Sequence, residues 1–99
     1  MKSEKVMRLL GENLDKITRY GVRRIGLFGS YIRDEQTENS DIDILVEFEK
    51  NKKTFDNYME LKFFLEDLFE CKIDLVVREA IKPSLKEYIM GSVKYAEGL

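Results

Sequence analysis

From Asp41 to Phe48 the chain alternates: Ile42, Ile44, Val46 and Phe48 fall on one side, and Asp41, Asp43, Leu45 and Glu47 on the other. A period of two is that of a β-strand with one face turned to a core, and this is the strongest strand in the sequence. Val22–Phe28, with Ile25, Leu27 and Phe28, reads as an earlier strand ending at Gly29-Ser30, where the chain turns into a short helix. Lys72–Val77 reads as a third. Helical spacing appears elsewhere. Val6, Leu9, Leu10, Leu14 and Ile17 mark a helix from about Ser3 to Tyr20, stopped by Gly21. Tyr58, Leu61, Leu65, Leu68 and Phe69 mark a second. Leu85, Tyr88, Ile89 and Val93 mark a last one, begun either by Pro83 in the first turn or by a Ser84 and Glu87 capping box. The order helix, strand, short helix, strand, helix, strand, helix predicts an α/β fold with a short mixed sheet packed against helices.

With 99 residues, 43% hydrophobic and 36% charged, the chain is expected to form one domain over 1–99 with one core. No histidine is present and Cys71 is the sole cysteine, which excludes structural zinc, Ser-His or Cys-His catalysis and intramolecular disulfides. The remaining metal ligands are oxygens, which suit Mg2+ or Mn2+. A formal net charge of -2 provides no overall field for nucleic acid or anionic lipid, and Lys52-Lys53 is too short a basic run to supply one. The charged start and the lack of a long apolar run predict no signal peptide or membrane span, with the cytoplasm as the default compartment.

Asp41 and Asp43, one residue apart on a strand, leave the same face roughly 7 Å apart along the backbone. Side by side they raise each other's ionisation cost unless a cation lies between them. An isolated Asp-x-Asp is nonetheless more often a pair of solvated carboxylates. Gly29-Ser30 adds weight, since a strand that runs into Gly-Ser and a helical turn can offer backbone N–H groups and a hydroxyl to phosphate. Arg33, about one helical turn later, could reach the same anion. Asp74 is an acid inside Ile73-Asp74-Leu75-Val76-Val77; if that strand lies beside Asp41–Phe48, it joins the other two carboxylates in a two-metal arrangement. Phe63, Phe64, Leu65, Leu68 and Phe69 read as packing residues, Cys71 as a small packing residue, and Glu47 as a solvated edge residue.

Gly29-Ser30-Tyr31-Ile32-Arg33 followed by Ser40-Asp41-Ile42-Asp43-Ile44-Leu45-Val46-Glu47-Phe48 resembles the signature of the MNT family, the minimal nucleotidyltransferases of the DNA polymerase beta superfamily. The resemblance implies that Gly29 and Ser30 hold a triphosphate and Arg33 neutralises it. It implies that Asp41, Asp43 and Asp74 bind Mg2+ or Mn2+, with Asp74 also aligning or deprotonating an acceptor hydroxyl. One departure stands out: Ile32-Arg33-Asp34 replaces the Ala-Arg-Gly of many relatives, and Asp34 brings a negative charge towards the phosphate site.

The same resemblance implies AMP transfer from ATP to a tyrosine of a HEPN-domain ribonuclease toxin, silenced by its MNT antitoxin. Larger relatives grip the acceptor with extra domains, so here a partner protein is expected to present it. Two rival readings are transfer to a small molecule such as an aminoglycoside, and a module that neutralises its partner by binding alone. The three intact acids speak against the latter.

Overall fold

In the computed structural model, which describes residues 1–33, 35–37 and 40–98, a four-stranded sheet runs in the order β3-β2-β1-β4. Strand β1 is Val22–Phe28, β2 Ile42–Phe48, β3 Ile73–Val77 and β4 Lys94–Tyr95. Strand β2 pairs antiparallel with β1 and parallel with β3, and β4 pairs antiparallel with β1, so the sheet is mixed as expected. Helices α1 (Ser3–Glu12), α2 (Leu14–Thr18) and α3 (Phe55–Phe69) belong to one side, and α4 (Pro83–Ser92) covers the other.

The main core follows the alternation of β2. Ile42, Ile44, Val46 and Phe48 pack with Val6, Leu10 and Ile17 of the first two helices, Leu61, Leu65 and Phe69 of α3, and Ile73 and Leu75 of β3. In β1 a bulge between Val22 and Arg24 shifts the register, which lets Val22 and Ile25 both face this core although three positions separate them. The hydroxyl of Tyr58 donates to the carbonyl of Leu75 at 2.6 Å and ties α3 to β3.

Three sequence expectations are corrected. The first helix is broken at Asn13, whose side-chain amide donates to the carbonyl of Leu9 at 2.8 Å; an Asn competing for backbone partners ends α1 and lets α2 start afresh. The last helix stops at Ser92, and residues 94–95 return as an edge strand. Gly26 permits this close return, because a Cβ there would lie 2.8 Å from the Lys94 carbonyl oxygen and 2.9 Å from Val93 Cγ2. Phe63, read from the sequence as a packing residue, is exposed at 57%; Leu85 and Tyr88 of α4 are likewise exposed, at 50% and 62%. Pro83 opens α4 in its first turn, which settles that start.

Cross-strand register orders the sheet face under α4 into rows. Phe28, Asp43 and Asp74 are neighbours in one row, Gly26, Leu45 and Val76 in the next, and Arg24 and Glu47 beyond them. Phe28, Leu45 and Ile89 form a second small core there.

Candidate active site

The acid row is where chemistry is concentrated. Asp43 and Asp74 pair directly across the parallel β2–β3 ladder, so their side chains leave the same sheet face together. The charge of Asp74 therefore bears directly on Asp43. Burial, followed by the negative charge of Asp74, the hydrogen bond to it and the charge of Asp41, pushes the Asp43 carboxyl up from 3.8 to about 6; a backbone N–H donated by Ser30 pulls the other way.

Gly29 explains how Ser30 comes so close. Strand β1 ends at Phe28, opposite Asp43, and the chain enters a single 3-10 turn, Gly29–Tyr31. Gly29 has φ +78, and a Cβ on it would lie 2.8 Å from Cγ of Asp43 and nearer still to Oδ2. Only glycine fits both the left-handed backbone and that contact. The Ser30 amide is directed at Asp43. Arg33 follows the turn and donates from Nη1 to the Tyr88 hydroxyl at 2.8 Å, while its Nε lies 3.4 Å from Oε1 of Glu35. Asp34 lies outside the described residues.

Asp41 is the third candidate acid. It is exposed and precedes β2, whose first residue Ile42 donates its amide to the carbonyl of Lys72. Its charge is felt at Asp43 and also at Tyr31 and Cys71, both raised first by burial. Among the described residues no three acidic or cysteine side chains form a ready-made metal cage. An open carboxylate pair still suits Mg2+, which commonly takes one or two carboxylates and completes its shell with water and substrate phosphate.

A nucleotidyltransferase domain model matches residues 6–96, nearly the whole chain, including the Gly-Ser turn and all three acids. The chain belongs to the nucleotidyltransferase domain family. It is 42% identical over 77 residues to the protein adenylyltransferase MntA of Thermococcus cleftensis, covering 78% of this chain and 77% of that one. A solved structure provisionally described as a minimal nucleotidyltransferase is 32% identical with a TM-score of 0.82, each chain covered to 95%. A toxin-antitoxin crystal structure with AMP-PNP is 27% identical with a TM-score of 0.70, covering 90% of this chain and 73% of that one.

In this nucleotidyltransferase the sequence reading missed two features. Glu47, expected to be solvated, is buried at 6% exposure. Its Oε2 accepts from the Tyr95 hydroxyl at 2.7 Å and lies 3.6 Å from Arg24, and its Oε1 lies 3.9 Å from Arg78. Arg24 also sits 3.5 Å over the Tyr95 ring. This cluster anchors β4 to the sheet. The second is Tyr88, which holds Arg33; in the sequence it served only to mark the last helix. No helix among the described residues is long and apolar enough to cross a membrane.

Proposed function

We propose that this chain transfers AMP from ATP to a hydroxyl group of a HEPN-like toxin and thereby acts as its antitoxin. The observation that carries the reading is the Asp43–Asp74 pair, held under the Gly29-Ser30 turn and reached by the Ser30 amide. The likeness to an adenylyltransferase and to a toxin-antitoxin structure with AMP-PNP supports the donor and the type of partner.

Asp43 and Asp74, with Asp41 nearby, would hold Mg2+ or Mn2+. The donor set fits: all ligands are hard oxygens, and two carboxylates paired across the ladder favour a cation between them. The metal, when bound, supplies positive charge to the phosphates and the leaving oxygen. Ser30 and Arg33 orient the triphosphate, Arg33 adding a charge-assisted hydrogen bond. Asp74, exposed at the sheet edge, aligns the acceptor hydroxyl and takes its proton.

The test uses ATP labelled at either the α- or the γ-phosphate, with Mg2+ and the partner toxin. Transfer of the α label alone, with equimolar pyrophosphate and loss in Asp43→Asn, is the expected result. Transfer of the γ label would make the protein a kinase. Neutralisation of the toxin with neither label transferred would make it a binding module.

A further inference from the structure

Tyr88 of α4 is mostly exposed, so its ring adds little to the core, yet its hydroxyl is engaged across 55 positions of chain by Nη1 of Arg33 at 2.8 Å. The next residue, Ile89, belongs to the same small core as Phe28, the last residue of β1. Helix α4 therefore grips the Gly29-Ser30 turn on both sides, before it through Ile89 and after it through Tyr88.

We propose that Tyr88 is a positioning residue for the triphosphate, whose hydroxyl holds the Arg33 guanidinium in the orientation that meets phosphate. The proposal rests on the reading of Arg33 as a phosphate ligand and adds the residue that aims it.

The donors of Arg33 are the first reason. A guanidinium carries its five N–H groups in one rigid plane. Tyr88 takes one at Nη1, and Oε1 of Glu35 lies 3.4 Å from Nε. Contacts at two nitrogens set the tilt of the plane, and neither uses Nη2, which can serve an oxygen of the triphosphate. Charge is the second reason. The Tyr88 hydroxyl is neutral, so it fixes the guanidinium without cancelling the charge that attracts phosphate. The Glu35 carboxylate is 65% exposed, where water screens it.

Placement is the third. Beyond the single 3-10 turn, the Arg33 amide donates to the Gly29 carbonyl at a long 3.4 Å, and the Glu35 amide to the Ser30 carbonyl at 2.9 Å. Bonds this local do not fix a long side chain, and ordering it when the nucleotide arrives costs affinity. A tether from a ten-residue helix removes part of that cost beforehand. Folding itself gains little from the contact, since both partners lie at the surface.

Tyr88→Phe keeps the ring and removes only the hydroxyl. In calorimetry with AMP-PNP and Mg2+ it should weaken binding about threefold to tenfold, with Tm hardly moved. In the transfer assay KM for ATP should rise by a similar factor while kcat changes less. The double-mutant cycle is the specific test: in an Arg33→Ala background, Tyr88→Phe should have no further effect on AMP-PNP affinity, because nothing is left to aim. Side-chain NMR relaxation at Arg33 Nε should report greater mobility in Tyr88→Phe than in the native protein. Equal affinity of the native protein and Tyr88→Phe for AMP-PNP overturns the proposal, as does an Arg33→Ala variant that binds AMP-PNP as well as the native protein. Additive losses in the cycle also overturn it, making Tyr88 an independent ligand of the nucleotide. If the affinities follow the cycle but no AMP leaves ATP for the toxin, Tyr88 still positions Arg33 and the transfer reading fails instead.

Discussion

Replacing Asp43 with Asn should stabilise the metal-free protein, and by an amount that depends on pH. Burial and two neighbouring acids raise this carboxyl from 3.8 to about 6 in the fold. At low pH the folded and unfolded chains both carry the proton, and Asp43 has no effect on stability. Between about pH 4 and 6 the unfolded chain gives it up while the folded chain keeps it, so stability falls as pH rises, and above about 6 the full penalty applies. A tenfold change in proton affinity is about 1.36 kcal/mol, which puts the ceiling at about 3 kcal/mol. Asp43 is only half-buried, and solvent screening reduces this to about 1–2 kcal/mol. Asn matches the protonated carboxyl in shape and can still accept from the Ser30 amide and donate to Asp74. For a domain of this size the gain amounts to roughly 5–15 °C in Tm at pH 7.5. It should shrink to about half in free-energy terms at pH 5. Thermal melts in EDTA across that range provide the measurement, and saturating Mg2+ should narrow the gap by stabilising the native protein more than the variant. A destabilised Asn variant, or a gain independent of pH, would refute the assigned electrostatics.

Other substitutions probe other parts of the site. Gly29→Ala must accommodate a positive φ and a contact with Asp43, and should cost about 1–3 kcal/mol in urea unfolding while also lowering transfer. Ser30→Ala combined with Arg33→Ala should weaken AMP-PNP binding roughly tenfold or more by calorimetry, because a charge-assisted hydrogen bond to phosphate is lost; unchanged affinity would return both residues to the surface. Glu47→Ala removes the shared partner of Tyr95, Arg24 and Arg78, and should cost about 1–3 kcal/mol of stability. Hydrogen exchange should then accelerate first in β4.

How much of this was legible in the sequence differs from residue to residue. Asp43 and the Gly29-Ser30 turn could be read because alternation and a strand-ending glycine are local signals. Asp74 was a conditional candidate, since its place depends on which strand pairs with which, and the parallel register Asp43↔Asp74 is a long-range fact. Asp41 stands one residue before β2 begins, so the alternation places it less firmly than Asp43. Glu47 was misread because burial of a charge depends on partners from three other elements, Arg24, Arg78 and Tyr95. The short β4 has too few residues to carry a pattern, although an interior glycine at position 26 was a sign that another backbone approaches. Exposed Phe63 was taken for a packing residue because an apolar run on a helix does not say which side chains are covered.

Intact-protein mass spectrometry of a HEPN-like toxin, incubated with this protein, ATP and Mg2+, tests the central claim most directly. The account predicts one or more discrete increments of AMP on the toxin, appearing together with its loss of activity. They should be absent with EDTA and absent with Asp43→Asn, even though that variant folds and binds the toxin. If the toxin is silenced equally by the native protein and by Asp43→Asn, with no change in mass in either case, the carboxylate pair is not a catalytic centre and inhibition is by binding alone.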